Sequence, residues 1–549
     1  MPILALHRGN ASQGPMASPN VVLVLVDDMG FSDIGCYGGE VRTPNLDRLA
    51  HGGVRFSQFY NTARCSPSRA SLLTGLHPHQ TGIGILTNDD RPRGYSGTLN
   101  PRCVTIAEAL KTRGYATCLA GKWHLSAEMH EANEAWPTRR GFDRFFGTLT
   151  GCGSFWQPGT LTRGEANAEH EALAPGFYYT DAITDEACHF VSECTQPGAG
   201  PFFLYLAYTA PHWPLHAPEE DVARYDGTFD VGWDRLRERR LQRLRDEGLI
   251  DEATAPSGRD PSQPAWADAE HKAWQLRRMQ VYAAQIDRVD QGVGRVLAEL
   301  ERSGQLDNTL VIFLSDNGAS DETLPLVDLE RFKQRRDILR LSTRDGRDVH
   351  VGNDPAVMPG GEDTYASYGR AWANLSNTPF RFYKRWTHEG GIATPLIAHW
   401  PGGRLRAGGV VRRPFQLTDV LPTILEAAGV PYPTRYNGRQ IQPCEGRSFL
   451  PTLRGTASPD GTLYWEHTGN AAIRRGRWKL VREHPNHWEL YDMASDRCEL
   501  HDLAAVHPDV VRELDAAWQA WAERVGVIPW QTTLDLYRQA GKPDREAAG

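Results

Sequence analysis

The 549-residue sequence has no run of about 18 consecutive apolar residues, so it offers no membrane-spanning helix. Basic charge is not concentrated anywhere. The 60 lysines and arginines are scattered among 68 acidic residues for a net charge of -8, which excludes a nucleic-acid or anionic-membrane footprint. Cysteine is sparse and unpatterned: Cys36, Cys65, Cys103, Cys118, Cys152, Cys188, Cys194, Cys444 and Cys498 form an odd set without a CxxC. That excludes a disulfide framework and fits a reducing cytoplasm. No internal repeat is visible. The opening "MPILALHRGNASQGPMAS" has only the short apolar patch Ile3 to Leu6 before His7 and Arg8, too short for a secretory signal, and residues 1–18 read as a disordered leader.

What is present is a soluble globular chain, with 40% hydrophobic residues and 16 tryptophans. Its length calls for a large domain with a smaller one, and its mild charge favours a small-molecule substrate, in a monomer or a homo-oligomer. "NVVLVLV" (Asn20 to Val26) is a continuous apolar run ending in "DD", as a buried parallel strand reads when it enters a polar loop. The same grammar recurs. "YATCLAG" (Tyr115 to Gly121) leads into "KWH", "FFLYLAY" (Phe202 to Tyr208) into "TAPHWP", and "TLVIFLS" (Thr309 to Ser315) into "DNG". Helical stretches separate them, so the fold class is α/β, a mostly parallel or mixed sheet sandwiched by helices, with ligands beyond the carboxyl ends of the strands.

Two segments interrupt this pattern. Asp226 to Pro264 contains "WDRLRERRLQRLRDEG", which reads as a solvated helical face. Asp321 to Gly369 is long and poorly periodic, and reads as a lid or pocket wall. After about Gly455 short strand-like runs precede a helix from Pro508 to about Val525, an antiparallel α+β arrangement. The expected division is a catalytic domain over 19–445 and a smaller domain with a tail over 446–549.

Asp27-Asp28 and Asp316-Asn317 each follow a predicted buried strand. Either pair alone reads as strand-end capping. Together, carboxylates that repel one another call for a cation, and an all-oxygen set without cysteine or histidine suits Ca²⁺ or Mg²⁺. In "CSPSRASLLTG", Ser66 reads as an N-cap and Pro67 as the first helical residue. Cys65 then lies at a helix N-terminus that favours anions, with Arg69 about one turn in, although a buried structural cysteine is the plain alternative. Lys122, His124, His212, Lys384 and His388 lie in the remaining loops. Arg69, Lys122, Lys384 and one or both of His124 and His212, near a divalent ion, make a site for a tetrahedral oxyanion ester.

"CSPSRASLLTG" and "GYATCLAGKWHL" resemble the two signatures of the sulfatase family, and "DDMG", "PHWPLHAPEE", "DNG" and "TDVLPTILEAAGV" follow in that family's order, closest to bacterial cytosolic arylsulfatases. The resemblance covers residues 19 to 505 and implies an alkaline phosphatase-like fold and hydrolysis of aryl sulfates to phenol and sulfate. It further implies that Cys65 is oxidised to Cα-formylglycine by a formylglycine-generating enzyme that contacts the chain transiently. One hydroxyl of the hydrated aldehyde attacks sulfur and the other expels sulfate from the sulfated enzyme. By the same resemblance Asp27, Asp28, Asp316 and Asn317 bind Ca²⁺ (Mg²⁺ or Mn²⁺ in its place), and Arg69 and Lys122 hold the formylglycine and the sulfate. His124 takes the proton from the second hydroxyl, while His212 and Lys384 contact the sulfate and one of them protonates the leaving oxygen. Arg385 departs from the glycine of many relatives. Trp213 and Trp386 are candidates to stack on an aryl ring. The rival reading is a phosphodiesterase or phosphonate monoester hydrolase using the same formylglycine. A two-zinc phosphatase lacks its extra Asp and His ligands here, and the full set of site residues argues against a non-catalytic binding protein.

Overall fold

The computed structural model describes residues 18–456 and 460–540, so the expected leader, Ser18 apart, lies outside the described residues. The main sheet is built on seven strands: β1 (Asn20–Val26), β2 (Val54–Tyr60), β3 (Ala116–Gly121), β4 (Arg144–Thr148), β5 (Phe202–Ala207), β6 (Thr309–Ser315) and β7 (Ala393–His399). Their order is β2-β7-β6-β1-β5-β3-β4, with short strands added at both edges. β1 runs parallel to β5 and β6, and β3 parallel to β5 and β4, whereas β7 is antiparallel to both β2 and β6. Each face of β1 meets its own core: Val22, Val24 and Val26 join one, Val21, Leu23 and Leu25 the other. Burial on both faces is why this strand is apolar at every position instead of at alternate ones.

Five helices matter for the site and its support: α1 (Cys65–Thr74), α2 (Tyr179–Cys194), α3 (Gly232–Asp246), α4 (Lys272–Arg302) and α5 (Pro508–Val525). α2, α3 and α4 contribute to the first core and α1 to the second. No helix among the described residues is long and apolar enough to cross a membrane.

The four strands expected from sequence form, each within a residue of its expected ends. β2, β4 and β7 were not expected. β2 carries Arg55, whose guanidinium donates to Cys36 O and to Glu247, and β7 carries Pro395 where its register with β2 shifts, so neither reads as an apolar run. The solvated-face reading of 226–264 needs correction. In α3, Trp233, Leu236, Arg237, Arg240 and Leu244 are buried along one helical face. Arg240 pairs with Asp33 (2.7 Å) and Glu40 (2.8 Å), and Arg237 donates to Ser257 Oγ (2.6 Å) and to the carbonyls of Pro379 and Phe380. A planar five-donor guanidinium can be buried where it finds this many acceptors, and composition alone does not reveal them.

The last part of the chain forms a four-stranded antiparallel sheet: β8 (Thr462–His467), β9 (Asn470–Arg475), β10 (Trp478–Arg482) and β11 (Glu489–Asp492). α5 covers one face, where Ala471, Ile473, Leu480 and Leu490 meet Leu514, Trp518 and Trp521. The other face, with Trp465, Ala472 and Val481, joins the main core. The expected tail contains a further helix, Trp530–Gln539, packed through Trp530, Leu534 and Tyr537 on Ile85 and Tyr95.

Candidate active site

β1 runs into Asp27 and Asp28, β3 into Lys122 and His124, β5 precedes His212, and β6 runs into Asp316 and Asn317. Because β1 lies between β5 and β6, and β3 beside β5, these loops are neighbours at one edge of the sheet. Backbone bonds tie them together, with Asp27 N–H donating to Ala210 O (3.2 Å) and Asp316 N–H to Val26 O (3.1 Å). Lys384 arrives on the loop before β7, its N–H bonded to Ala319 O (3.0 Å).

α1 begins at Cys65, two residues earlier than an N-cap at Ser66 would place it. Arg64 holds an extended backbone (φ -151°, ψ 148°) and its carbonyl accepts the first helical bond, from Ser68 N–H. Pro67 still falls in the first turn, where an N–H has no helical acceptor to lose. Cys65 is buried, and burial pushes its thiol up, opposed by Lys122 and Lys384 and reinforced by Asp27 and Asp316. A neutral thiol is a poor nucleophile.

Each carboxylate of the constellation meets a cation from another part of the chain. Lys122 donates to Asp27. Lys384 donates to Asp28 (2.9 Å), as does Asn317 Nδ2 (2.6 Å). Arg69, fully buried, bonds Asp316 Oδ2 through Nη2 (2.9 Å) and Nε (3.2 Å), lies 3.4 Å from Asp27, and donates to Lys122 O (3.2 Å). His212 Nε2 is 3.4 Å from Asp28 and 3.2 Å from Lys384 Nζ, while its Nδ1 is bonded to Trp213 O (2.8 Å). Burial opposes ionisation of Asp27, yet Lys122, His212, Arg69 and Lys384 together hold it well below the usual carboxylate range. Asp316 moves the other way, raised by burial and by the charge of Asp27 beside it. Burial, with Lys122 and Arg69, depresses His124, and burial depresses His212, so both imidazoles are neutral at pH 7.

The donor set fits a hard cation. Asp27 Oδ1 and Asn317 Oδ1 are buried acceptors that receive no hydrogen bond, and ligand atoms of Asp27, Asp28 and His212 lie within 4.8 Å of one another. His212, expected only at the substrate, therefore also borders the metal position. Backbone strain gathers here too: Asp28, Ala63, His124 and Arg385 all adopt positive φ, between 57° and 86°. His124 passes so close to Gly151 that a Cβ there would lie 2.4 Å from its ring, which requires glycine at that position.

Cys65, His124, His212 and Lys384 open onto a cavity of about 1260 Å³ that Trp213 also lines. The 321–369 segment supplies a wall of it through Asp321, Glu322, Leu326 and Tyr368. Trp386 does not line the cavity. It stacks on Phe382 (5.3 Å) and donates to Glu483, which corrects the expectation that it meets an aryl ring. His388 is also turned away, 3.3 Å from Glu489. Arg385 does line the cavity, its guanidinium over Trp386. Glu322, which sequence reasoning did not single out, accepts from Trp213 Nε1 (2.7 Å), Arg64 (3.1 Å) and Lys384 (3.3 Å). Its only signal was its place six residues after Asp316.

The family model Sulfatase matches residues 19–430, and the model N-sulphoglucosamine sulphohydrolase, C-terminal, matches 380–520. Among curated proteins, an uncharacterised sulfatase of Schizosaccharomyces pombe is 34% identical, covering 94% of this chain and 95% of its own. The arylsulfatase of Klebsiella aerogenes is 33% identical over 77% of this chain and 89% of its own, and the steryl-sulfatase of Mus musculus 31% identical over 87% and 71%. The solved structure of Ps i-CgsB in complex with k-i-k-neocarrahexaose superposes with a TM-score of 0.66 at 24% identity, covering 96% of this chain and 98% of that one, which speaks to the fold.

Proposed function

The chain belongs to the sulfatase family and hydrolyses sulfate esters, and from that premise we propose that it is an arylsulfatase-type enzyme whose nucleophile is a formylglycine made from Cys65. The observation that carries this reading is the placement of Cys65: first residue of α1, buried among Lys122, Lys384, Asp27 and Asp316, with a thiol held neutral. An unmodified cysteine is ill suited to attack there. A formylglycine hydrate supplies two hydroxyls on one carbon, one to attack sulfur and one whose deprotonation expels sulfate.

Arg69 and Lys122 hold the nucleophile and the sulfate oxygens, Arg69 fixed by its fork on Asp316 and Lys122 by Asp27. Lys384, anchored on Asp28 and Glu322, and His212, oriented by Trp213 O, face the leaving oxygen, where a general acid is worth roughly 10²- to 10⁴-fold. Neutral His124, facing the cavity with Nδ1 unbonded, accepts the proton of the second hydroxyl. Asp27, Asp28, Asp316 and Asn317 would hold a Ca²⁺ ion, which supplies positive charge beside the sulfate. Trp213 and the cavity's apolar wall support an aryl leaving group. The catalytic domain is assigned to 19–445 and the smaller domain to 446–549. The nine free cysteines support a cytoplasmic setting. Since Cys65 is buried, its contact with a formylglycine-generating enzyme precedes folding.

The test is the mass of the peptide around Cys65, expected to be lower by the change from CH₂SH to CHO and to react with hydrazides, together with rates on aryl sulfates and aryl phosphate diesters. Cys65→Ala should be almost inactive. Full activity in enzyme with an unmodified thiol would overturn the proposed nucleophile. Faster diester than sulfate hydrolysis would overturn the proposed substrate.

A further inference from the structure

The cavity is larger than a simple aryl sulfate requires, since drug-sized ligands occupy about 300–1,000 Å³. Part of it is walled by the first turns of α4, through Trp274, Gln275 and Arg278, and by Tyr368 and Gly369. Arg278 is 6% exposed. Its Nε donates to Ser367 O (2.8 Å), its Nη1 to Gln275 Oε1 (3.0 Å), and its guanidinium lies 4.2 Å from the Trp274 ring. Among the described residues no carboxylate comes within ion-pair distance, and Nη2 has no protein acceptor.

Four other cations of this cavity pair with carboxylates, and the charge of a fifth, Arg385, acts on Asp321. Arg370 pairs with Asp321, Arg335 with Asp337, Arg64 with Glu322, and Lys384 with Asp28 and Glu322. Arg237 also lacks a carboxylate, but it is spent on backbone carbonyls away from the cavity. A buried charge without a counter-ion is costly. Burial alone lowers Arg278 to about 9, with nothing opposing it. Gly369 lets the guanidinium pack against its backbone, since a Cβ there would lie 2.2 Å from Arg278 Nη2.

We propose that Arg278 is a second anion subsite, pairing with a carboxylate or further sulfate on the body of a sulfate ester whose scissile group lies at Cys65. The substrate class is thus a sulfate ester with a second acidic group and a ring face for Trp274 or Trp213. A charge-assisted fork on such a group is worth roughly 1.5–3 kcal/mol, about 10- to 100-fold in affinity. The scissile and distal ends are linked structurally: Ser367, which holds Arg278, also donates to Glu322 O (2.5 Å), and Glu322 holds Lys384. The proposal rests on the sulfatase reading for its substrate but not for its subsite.

The experiment compares 4-nitrophenyl sulfate with a nitrophenyl sulfate bearing a carboxylate on a short arm, in wild type, R278Q and R278K. Wild type should show a lower KM for the carboxylated ester. R278Q should raise that KM by about 10-fold or more with kcat little changed, a loss at least tenfold beyond that on 4-nitrophenyl sulfate, and R278K should fall between. Equal losses on both esters would assign Arg278 a structural role and overturn the subsite. A second measurement, calorimetric titration of the unsulfated nitrophenol with and without the carboxylate arm, needs no turnover. Tighter binding of the acid by wild type supports the subsite even if neither ester is hydrolysed, an outcome that would instead refute the activity. Indifference of wild type to the carboxylate in both measurements overturns the subsite without recourse to any variant.

Discussion

Replacing Lys479 with methionine should expose how strongly the C-terminal sheet is tied to the active-site loops. Lys479, on β10, is fully buried and shared between Glu389 (3.0 Å) and Glu499 (2.7 Å), both also fully buried. Glu389 follows His388 on the segment that carries Lys384, and it also accepts from Tyr60 (3.0 Å) with Arg497 at 3.5 Å. Burial opposes ionisation of Glu389, but Lys479 and Arg497 hold it below its ordinary 4.5. Without Lys479, two carboxylates share a dry site with Arg497 at 3.5 Å and Arg474, which is bonded to Tyr60, as less closely placed cations. Breaking a buried pair costs about 3–5 kcal/mol. Protonation of one glutamate caps the loss, because holding an ordinary glutamic acid neutral at pH 7 costs about 1.4 kcal/mol for each of roughly 2.5 pH units, about 3 kcal/mol in all. The cap falls as the pH falls. Lys479→Met should therefore lose about 3 kcal/mol at pH 7 and about 2 kcal/mol at pH 6 in urea unfolding followed by circular dichroism, with a higher KM for the sulfate ester as the Lys384 loop loosens. A loss under about 1 kcal/mol at pH 7, or one that does not shrink on acidification, would refute the reasoning.

Three further outcomes follow from the same contacts. Chelation should abolish activity and lower the melting temperature, since Asp27, Asp28 and Asp316 then repel one another, and Ca²⁺ should restore both; restoration by Zn²⁺ alone would contradict an oxygen-ligand site. His124→Ala should release one equivalent of phenol and then stall with sulfate attached, visible by mass spectrometry, whereas an intact first step without trapped sulfate would remove His124 from its role. His216 is neutral by construction: Phe155 N–H donates to its Nδ1 (3.3 Å), Nε2 is bonded to Thr364 O (2.6 Å), and burial lowers it to about 4. Because the unfolded chain takes up this proton near pH 6.5 and the folded chain only near 4, the stability His216 contributes is present above 6.5 and is lost as the pH falls through that window, by about 2 kcal/mol at pH 5. His216→Gln should remove that share of the acid sensitivity in urea midpoints measured at pH 7 and pH 5, and an unchanged pH slope would contradict it.

The strands that carry the site were legible because they are buried on two faces, which leaves no position for a polar residue until the chain leaves the sheet. The abrupt change from "NVVLVLV" to "DD" is the strand emerging, and that emergence is where chemistry can sit. β2 and β7 escaped notice for the converse reason: Arg55 and Pro395 interrupt their patterns, and each is accommodated by a partner far along the chain. Arg240 in α3 and Arg278 in α4 belong to sequences that read as ordinary charged or amphipathic helices, yet one is buried against Asp33 and Glu40 and the other has no counter-ion among the described residues. Charge content is local and can be read. Which charge meets which depends on strand order, and only the fold places Lys122 on Asp27, Lys384 on Asp28 and Arg69 on Asp316. That pairing carries a chemical consequence: each cation is held by a carboxylate at the sheet edge, so its position is set before the substrate arrives and little reorganisation remains when negative charge develops on the sulfate. The same logic makes Arg278 stand out, since a cation in that cavity without a carboxylate of its own awaits one from outside the chain.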